Sequence, residues 1–191
     1  PTDRVVCGDI RKIAECISTY IPEEVDIVIG GPPCQGFSSA NKHHRVIDDP
    51  RNELYKYFIK AVEQLAPKVV VMENVKGMLK VANQVVEDYE NIKIQRGDVT
   101  YSYSVAYSIL LSSEFSVAQS RERLIYIALR NDIVQSRHIT PKGVFSIIRN
   151  NNKKNIHYNL SDALEGVRGL IAPHIMGVGE VDNDESGRKI D

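Results

Sequence analysis

An apolar run, Asp26-Ile27-Val28-Ile29, leads straight into Gly30-Gly31-Pro32-Pro33-Cys34-Gln35-Gly36-Phe37-Ser38. The apolar residues predict a buried strand over Ile27 to Ile29, which the glycines and prolines end abruptly. Cys34 then falls on the first turn beyond a strand's carboxyl end, where open α/β sheets place their ligands. Whatever the chain folds into has to accommodate a thiol held there by a stiff backbone.

The flanking pattern alternates strand and helix. Val5-Val6 ends at Gly8-Asp9-Ile10, and Ile10, Ile13, Ala14, Ile17 and Ile21 recur at helical spacing, predicting a strand–turn–helix unit. After Cys34 comes a polar loop, Ser38 to Asp49, with Lys42, His43, His44 and Arg45; long loops in compact domains are often functional. Asp49-Pro50 reads as a cap for a helix whose apolar face is Leu54, Phe58, Ala61, Val62 and Leu65. Val69-Val70-Val71-Met72 is the next buried strand, followed by a weaker helix over Met78 to Tyr89 and an unpatterned stretch from Asn91 to Thr100. Tyr103 to Leu110 and Leu124 to Leu129 read as an antiparallel pair at a sheet edge. From Asn131 the pattern weakens, the run from Asn150 to Asn155 is linker-like, and Ser161 to Leu170 reads as a short helix. The fold class is α/β, with a mainly parallel sheet and an antiparallel edge.

Composition narrows the class. With 191 residues and 42% hydrophobic content the chain can build one core, and no apolar stretch is long enough to span a membrane. Three cysteines without metal-ligand spacing fit free thiols in a reducing cytoplasm. A formal net charge of -1 means that any nucleic-acid face is local or supplied from elsewhere.

Chemistry gathers beside three strands. Cys34 and Glu73 follow strand ends, and Arg121 and Arg123 lie in Gln119-Ser120-Arg121-Glu122-Arg123 just before another strand. The carboxyl ends of successive parallel strands line one crevice, so a thiol, a carboxylate and guanidinium groups can converge although distant in sequence. Cys7 and Cys16 read as inert packing, since free cysteine is among the most buried residue types. For Glu73 a salt bridge and a chemical role are evenly matched, and for the arginines ordinary surface charge is the commoner situation. His43-His44 reads as solvated, which leaves a Cys–His hydrolase without a nameable base.

The chain resembles the cytosine-5 DNA methyltransferases. The segment from Gly30 to Ser38 matches that family's nucleophile motif, Glu73-Asn74-Val75 its ENV motif, and Gln119 to Arg123 its QxRxR motif. Gly8-Asp9-Ile10 and Asp49-Pro50-Arg51-Asn52-Glu53-Leu54 are similar to two further segments. Five motifs occur in the family's order over about Val5 to Arg130. The resemblance implies a Rossmann-like fold that binds S-adenosylmethionine. It also implies methyl transfer to C5 of a flipped-out cytosine in double-stranded DNA, as in restriction-modification enzymes. Cys34 would add to C6; Glu73 would hold N3 and the exocyclic amine, Arg123 the base O2, and Arg121 the site or a phosphate. Asp9 and Ile10 would meet the cofactor's adenine, Gly31 and Pro33 its methionine end, with Leu54 also in contact.

Departures bear on scope. The family's opening Phe-x-Gly-x-Gly turn, the acidic residue of the next strand, a target-recognition domain and the closing motifs are absent, and Ala118 stands where the family usually has proline. Such sheets place two strands between the one ending at Asp9 and the one ending at Gly30, so Val5-Val6 would lack a neighbour. The chain therefore reads as a fragment inactive alone, completed by missing segments or a second chain. Residues 1–130 read as a partial catalytic domain and 131–191 as a linker towards recognition, in a bacterial cytoplasm or nucleoid. An RNA (tRNA) cytosine-5 methyltransferase and a catalytically silent DNA-binding remnant are the alternatives.

Overall fold

The computed structural model describes residues 5–33, 53–152 and 158–164. In chain order the elements are α1 (Ile10–Ile13), α2 (Ile17–Tyr20), β1 (Ile27–Gly30), α3 (Glu53–Leu65), β2 (Val69–Asn74), α4 (Ala82–Glu90), β3 (Ile94–Arg96), β4 (Val99–Tyr101), β5 (Tyr103–Leu111), β6 (Glu122–Arg130), α5 (Asn131–Arg137), α6 (Pro141–Asn152) and α7 (Leu160–Leu164). Short 3-10 turns cover Lys76–Val81 and Ser112–Phe115.

The main sheet has four strands in the order β1-β2-β6-β5. β1 and β2 are parallel, with Ile27 opposite Val69 and Gly30 opposite Met72. β6 runs antiparallel to β2, Glu73 opposite Ile125 and Asn74 opposite Leu124, and β5 runs antiparallel to β6. The antiparallel edge expected from the sequence is present and reaches one strand further in, giving a mixed α/β sheet. Parallel neighbours need a crossover, supplied here between β1 and β2 by the segment containing α3; β5 and β6, an antiparallel pair, are joined by residues 112–121, which include the 3-10 turn Ser112–Phe115.

The two faces carry separate cores. On one, Val70, Met72, Leu124 and Tyr126 of the sheet pack with Tyr55 and Val62 of α3 and Val85 and Tyr89 of α4. On the other, Ala106, Ile127 and Leu129 pack with Phe145 of α6. Burying each such side chain contributes about 1.5–3 kcal/mol. β2 serves both cores, because alternate residues of a strand face opposite ways. Glu73 therefore shares a face with Val69 and Val71, while Asn74 points to the first core and is buried.

Several expectations need correction. Residues 5–7 form no strand, and Val5 and Val6 are 76% and 49% exposed. A strand needs a partner for its backbone groups, and none of the described strands lies beside this segment. Ile27 and Ile29, expected to be buried, are 54% and 73% exposed because neither core extends over that face of β1. Cys7 and Cys16 are exposed rather than packed. The stretch from Asn91 to Thr100 is not irregular: it holds the β3–β4 hairpin, turned at Gly97 with φ +57°. Asn131 onward is helical, and α6 runs through the polar residues to Asn152 while its other face covers the sheet. Cys34, the loop from Ser38 to Asp49, the cap expected at Asp49-Pro50 and most of the C-terminal stretch lie outside the described residues. Among the described residues no helix is long and apolar enough to cross a membrane.

Candidate active site

Because β1 and β2 are parallel, Gly31 and Glu73 emerge at the same edge of the sheet. Gly30 lies under α3: a Cβ built there would sit 2.4 Å from Phe58 Cε2, so only a bare backbone lets the helix approach. Gly31 lies against Glu73, where an added Cβ would stand 3.0 Å from Oε2. The next turn is tied down by Asn74, whose Nδ2 donates to the Pro32 carbonyl at 3.1 Å, while its Oδ1 accepts from the Val75 amide at 2.8 Å. Both ends of one buried amide are thus used on backbone groups. The segment after β1 is fastened to the Glu73-Asn74-Val75 corner at Pro32, and Pro33 beyond it is exposed. Cys34 itself lies outside the described residues.

β6 enters the same edge from the opposite direction. Leu124 pairs with Asn74, so Arg123 sits just past the end of β2, on the face that carries Glu73. Arg123 Nε lies 2.5 Å from Glu73 Oε1. The Nε is buried and its N–H is not aligned on an acceptor, which makes this an ionic contact more than a directed hydrogen bond. Arg123 Nη1 donates to the Glu122 carbonyl at 2.8 Å. The Glu73 carboxylate keeps 45% of its side-chain surface open to solvent, so the pair is accessible. Arg121 is exposed, and Lys76 Nζ meets Glu122 Oε2 at 2.8 Å, joining the corner after β2 to the start of β6.

The structure therefore brings together Gly31, Glu73 and Arg123, with Pro33 and Arg121 on adjoining turns. It keeps Asp9 and Ile10 apart, on α1. Asp9 is the N-cap of that helix, accepting from the Arg11 amide at 2.9 Å, and its two carboxylate oxygens are gripped by the Arg11 guanidinium. These bonds hold its carboxyl down to about 2. α1 and α2 dock on α3 through Gln64 Nε2, which donates to the Ala14 carbonyl at 2.7 Å, and through a Lys60–Glu15 ion pair. Leu54 is in the first turn of the same helix, half-buried, one turn from the Phe58 that packs on Gly30.

Two further residues, Asn74 and Ser112, bond the backbone around the site. Asn74 was visible only as the middle of a motif, although a short polar side chain at the end of an apolar strand has few uses besides bonding a nearby turn. Ser112 bonds the segment before β6 at three points, and no sequence signal marks it. Among the described residues no group of three or more His, Cys, Asp or Glu is placed to hold a metal ion.

Comparison with known proteins identifies the family. The family of C-5 cytosine-specific DNA methylases matches residues 2–175. The chain is 38% identical over 138 residues to the Type II methyltransferase M.AquIA of Picosynechococcus sp., covering 68% of this chain and 55% of that protein. It is 36% identical over 166 residues to the Type II methyltransferase M.NgoPII of Neisseria gonorrhoeae, covering 85% of this chain and 45% of that one. A crystal structure of an E. coli prophage protein described as a DNA modification methyltransferase superposes with a TM-score of 0.56 at 28% identity, over 82% of this chain and 40% of its own. The chain thus spans about half the length of these two curated relatives. From its motifs, its mixed sheet and these likenesses together, the chain belongs to the C-5 cytosine-specific DNA methylase family.

Proposed function

We propose that this chain carries the base-holding part of a DNA cytosine-5 methyltransferase of the restriction-modification type. The observation that carries the reading is the Glu73–Arg123 pair, set against Gly31 at the strand edge from which the chain runs to Cys34.

Cytosine C5 is too electron-poor to attack a methyl group directly. Cys34 adds as a thiolate at C6, forming the S–C6 bond and making C5 an enamine carbon that is nucleophilic. Glu73 holds N3 and the exocyclic amine, and Arg123 turns from Glu73 to the base O2. Arg121, exposed beside them, supports the site or meets a phosphate. Glu73 passes a proton to N3 as the thiolate adds. Once C5 carries the methyl group its proton leaves to water, and the C5–H electron pair forms the C5–C6 double bond. The C6–S bond breaks to free Cys34 as thiolate, and N3 returns its proton to Glu73. A stacked base is out of reach of any of these groups, so the cytosine has to leave the duplex.

S-adenosylmethionine, when bound, supplies an electrophilic methyl group. Its methionine end fits Gly31 and Pro33, where the bare Cα of Gly31 leaves a cradle beside Glu73 that a side chain would fill. Leu54 lies one turn along α3 from the packing on Gly30. At the adenine end Ile10 is available, and Asp9 contributes once it exchanges its Arg11 partner.

Catalysis by this chain needs more than its described residues. Among the described residues Ile27 and Ile29 leave an apolar strip exposed beside Glu73's face, and residues 5–7 pair with no strand. A further segment or second chain covering that strip supplies the rest of the cofactor site, with residues 1–130 as the catalytic part and the C-terminal stretch leading towards recognition. A double-stranded DNA partner fits a protein of the bacterial cytoplasm or nucleoid. Incubation with labelled cofactor and cytosine-containing duplex gives no labelled DNA for the chain alone. With the completing segment added, 5-fluorocytosine duplex traps a covalent adduct that Cys34→Ala abolishes. Trapping on tRNA in place of DNA, or an adduct that survives Cys34→Ala, overturns the reading.

A further inference from the structure

We propose that Ser112 is the positioning residue of the Arg121–Arg123 segment. Its hydroxyl bridges two backbone groups on either side of Ser120 and so fixes the direction from which Arg123 meets Glu73. This rests on the reading of Arg123 and Arg121 as base- and phosphate-facing groups.

Ser112 stands at the end of β5, where the chain leaves the sheet for the turn that leads back to β6. Its amide donates to the Arg121 carbonyl at 3.0 Å, which continues the β5–β6 ladder one step past Leu111–Glu122. Its Oγ accepts from the Arg121 amide at 3.0 Å and donates to the Gln119 carbonyl at 2.5 Å. One residue thus makes three bonds to a segment with no helix or strand of its own between Val117 and Arg121. A hydroxyl is the smallest side chain that donates and accepts at one atom, which bridging a carbonyl and an amide demands.

The consequence falls on the arginines. Arg121 and Arg123 are two residues apart, yet Arg121 is exposed while Arg123 has a buried Nε against Glu73. Arg123 lies in β6, paired with Leu110, whereas Arg121 precedes the strand and its amide donates to the Ser112 hydroxyl. The departure from the strand occurs at the residues that Ser112 holds. Without the hydroxyl, β6 still begins at Glu122 through its pairing with Leu111, but the residues before it lose their tether. Arg121 then loses its fixed exit, and Arg123, at the second position of the strand, loses the rigid anchor beside it.

The test uses the whole chain and reads the arginines directly, independent of methyl transfer, so it separates from failure of the functional reading. The Nε–Hε resonances of Arg123 and Arg130 are recorded by NMR in the wild type and in Ser112→Ala, Ser112→Thr and Glu73→Gln. Arg130, held by Asp132 at the opposite end of β6, serves as the control. In Ser112→Ala the Arg123 signal shifts towards its position in Glu73→Gln, the Arg121 amide exchanges about tenfold faster, and Arg130 stays in place. Ser112→Thr, which keeps the hydroxyl, retains the wild-type Arg123 signal. An unmoved Arg123 signal in Ser112→Ala overturns the proposal. So does loss of the Arg130 signal with it, which would make Ser112 a support of the sheet, or a folded Ser112→Thr that behaves as Ser112→Ala.

Discussion

Asn74 holds the carbonyl of Pro32 at 3.1 Å, so the strand that delivers Glu73 also fixes the chain that follows β1 at Pro32. The relationship crosses 42 residues of sequence and joins the two motifs by a single amide. Because Asn74 is 4% exposed, water cannot readily take its place. Asn74→Ala leaves the Pro32 carbonyl and the Val75 amide without their side-chain partner, and unsatisfied buried groups cost about 1–3 kcal/mol. The urea midpoint falls accordingly with an unchanged m-value. Asn74→Asp keeps the acceptor for Val75 but turns the donor into an acceptor facing Pro32, so it destabilises at least as much.

Gly30 and Gly31 are adjacent and predict opposite phenotypes. A methyl group at Gly30 meets the Phe58 ring at 2.4 Å, a core contact that must shift. Overpacking of this kind costs about 1–3 kcal/mol, so Gly30→Ala lowers the thermal midpoint. A methyl group at Gly31 meets Glu73 Oε2 at 3.0 Å, on a side chain that is nearly half exposed, and the Glu73 carbonyl at an ordinary 3.7 Å. Gly31→Ala therefore keeps its stability and displaces the carboxylate from Arg123. In the completed enzyme its adduct formation with 5-fluorocytosine duplex falls at least as far as in Glu73→Gln. A loss of stability in Gly31→Ala equal to that in Gly30→Ala would contradict this division.

Ser116 carries φ +63° and a buried Oγ without a hydrogen-bond partner. The left-handed region costs a non-glycine residue roughly 1–2 kcal/mol, and an orphaned hydroxyl adds to it. Ser116→Gly removes both penalties and gives back some backbone entropy, for a net stabilisation of about 1 kcal/mol. Chemical denaturation measures it directly. Ser116→Val, which is β-branched, moves stability the other way.

How much of this was legible follows from what each residue depends on. α3 could be read because Leu54, Phe58, Ala61, Val62 and Leu65 carry its period locally, and β2 because an apolar run bounded by Pro67 and a carboxylate has one reading. The convergence of Glu73 with Arg123 was legible as a consequence of strand ends sharing an edge, without the contact itself. The β3–β4 hairpin was signalled by Gly97-Asp98, a turn dipeptide in a polar stretch that hid the short strands. α5 and α6 were hidden because their helical stripe is interrupted by Asn, Lys and Arg, and only contact with Ile127 and Leu129 makes Val144, Phe145 and Ile148 a buried face. Exposure of Ile27 and Ile29 could not be read from local pattern, because the residues alone favour burial. Burial of an apolar strand is a property of what lies over it. Ser112 was illegible for the same reason, as its partners are backbone atoms brought near by the β5–β6 turn.

Arg130 closes the opposite edge of the sheet and sets an acid limit on stability. Its guanidinium, with 5% of the side chain exposed, donates to both Asp132 oxygens at 2.7 and 3.0 Å and to the Ala66 carbonyl, and stacks 4.1 Å over Tyr101. The hydrogen bonds from Arg130 hold the Asp132 carboxyl below its ordinary value of 3.8 despite some desolvation. A carboxyl whose native value is depressed contributes stability that is fully present above the ordinary value and lost as pH falls through the lowered one. Asp132 is 41% exposed on its side chain, so solvent screening discounts the pair to about 1 kcal/mol. Asp132→Asn is therefore less stable than wild type at pH 7 by about that much. The difference shrinks as pH drops below 3.8 and vanishes once Asp132 is protonated in both states, so the two denaturation curves converge in acid. A gap that stays constant from pH 7 into that range would show that Asp132 acts through packing and not through its charge.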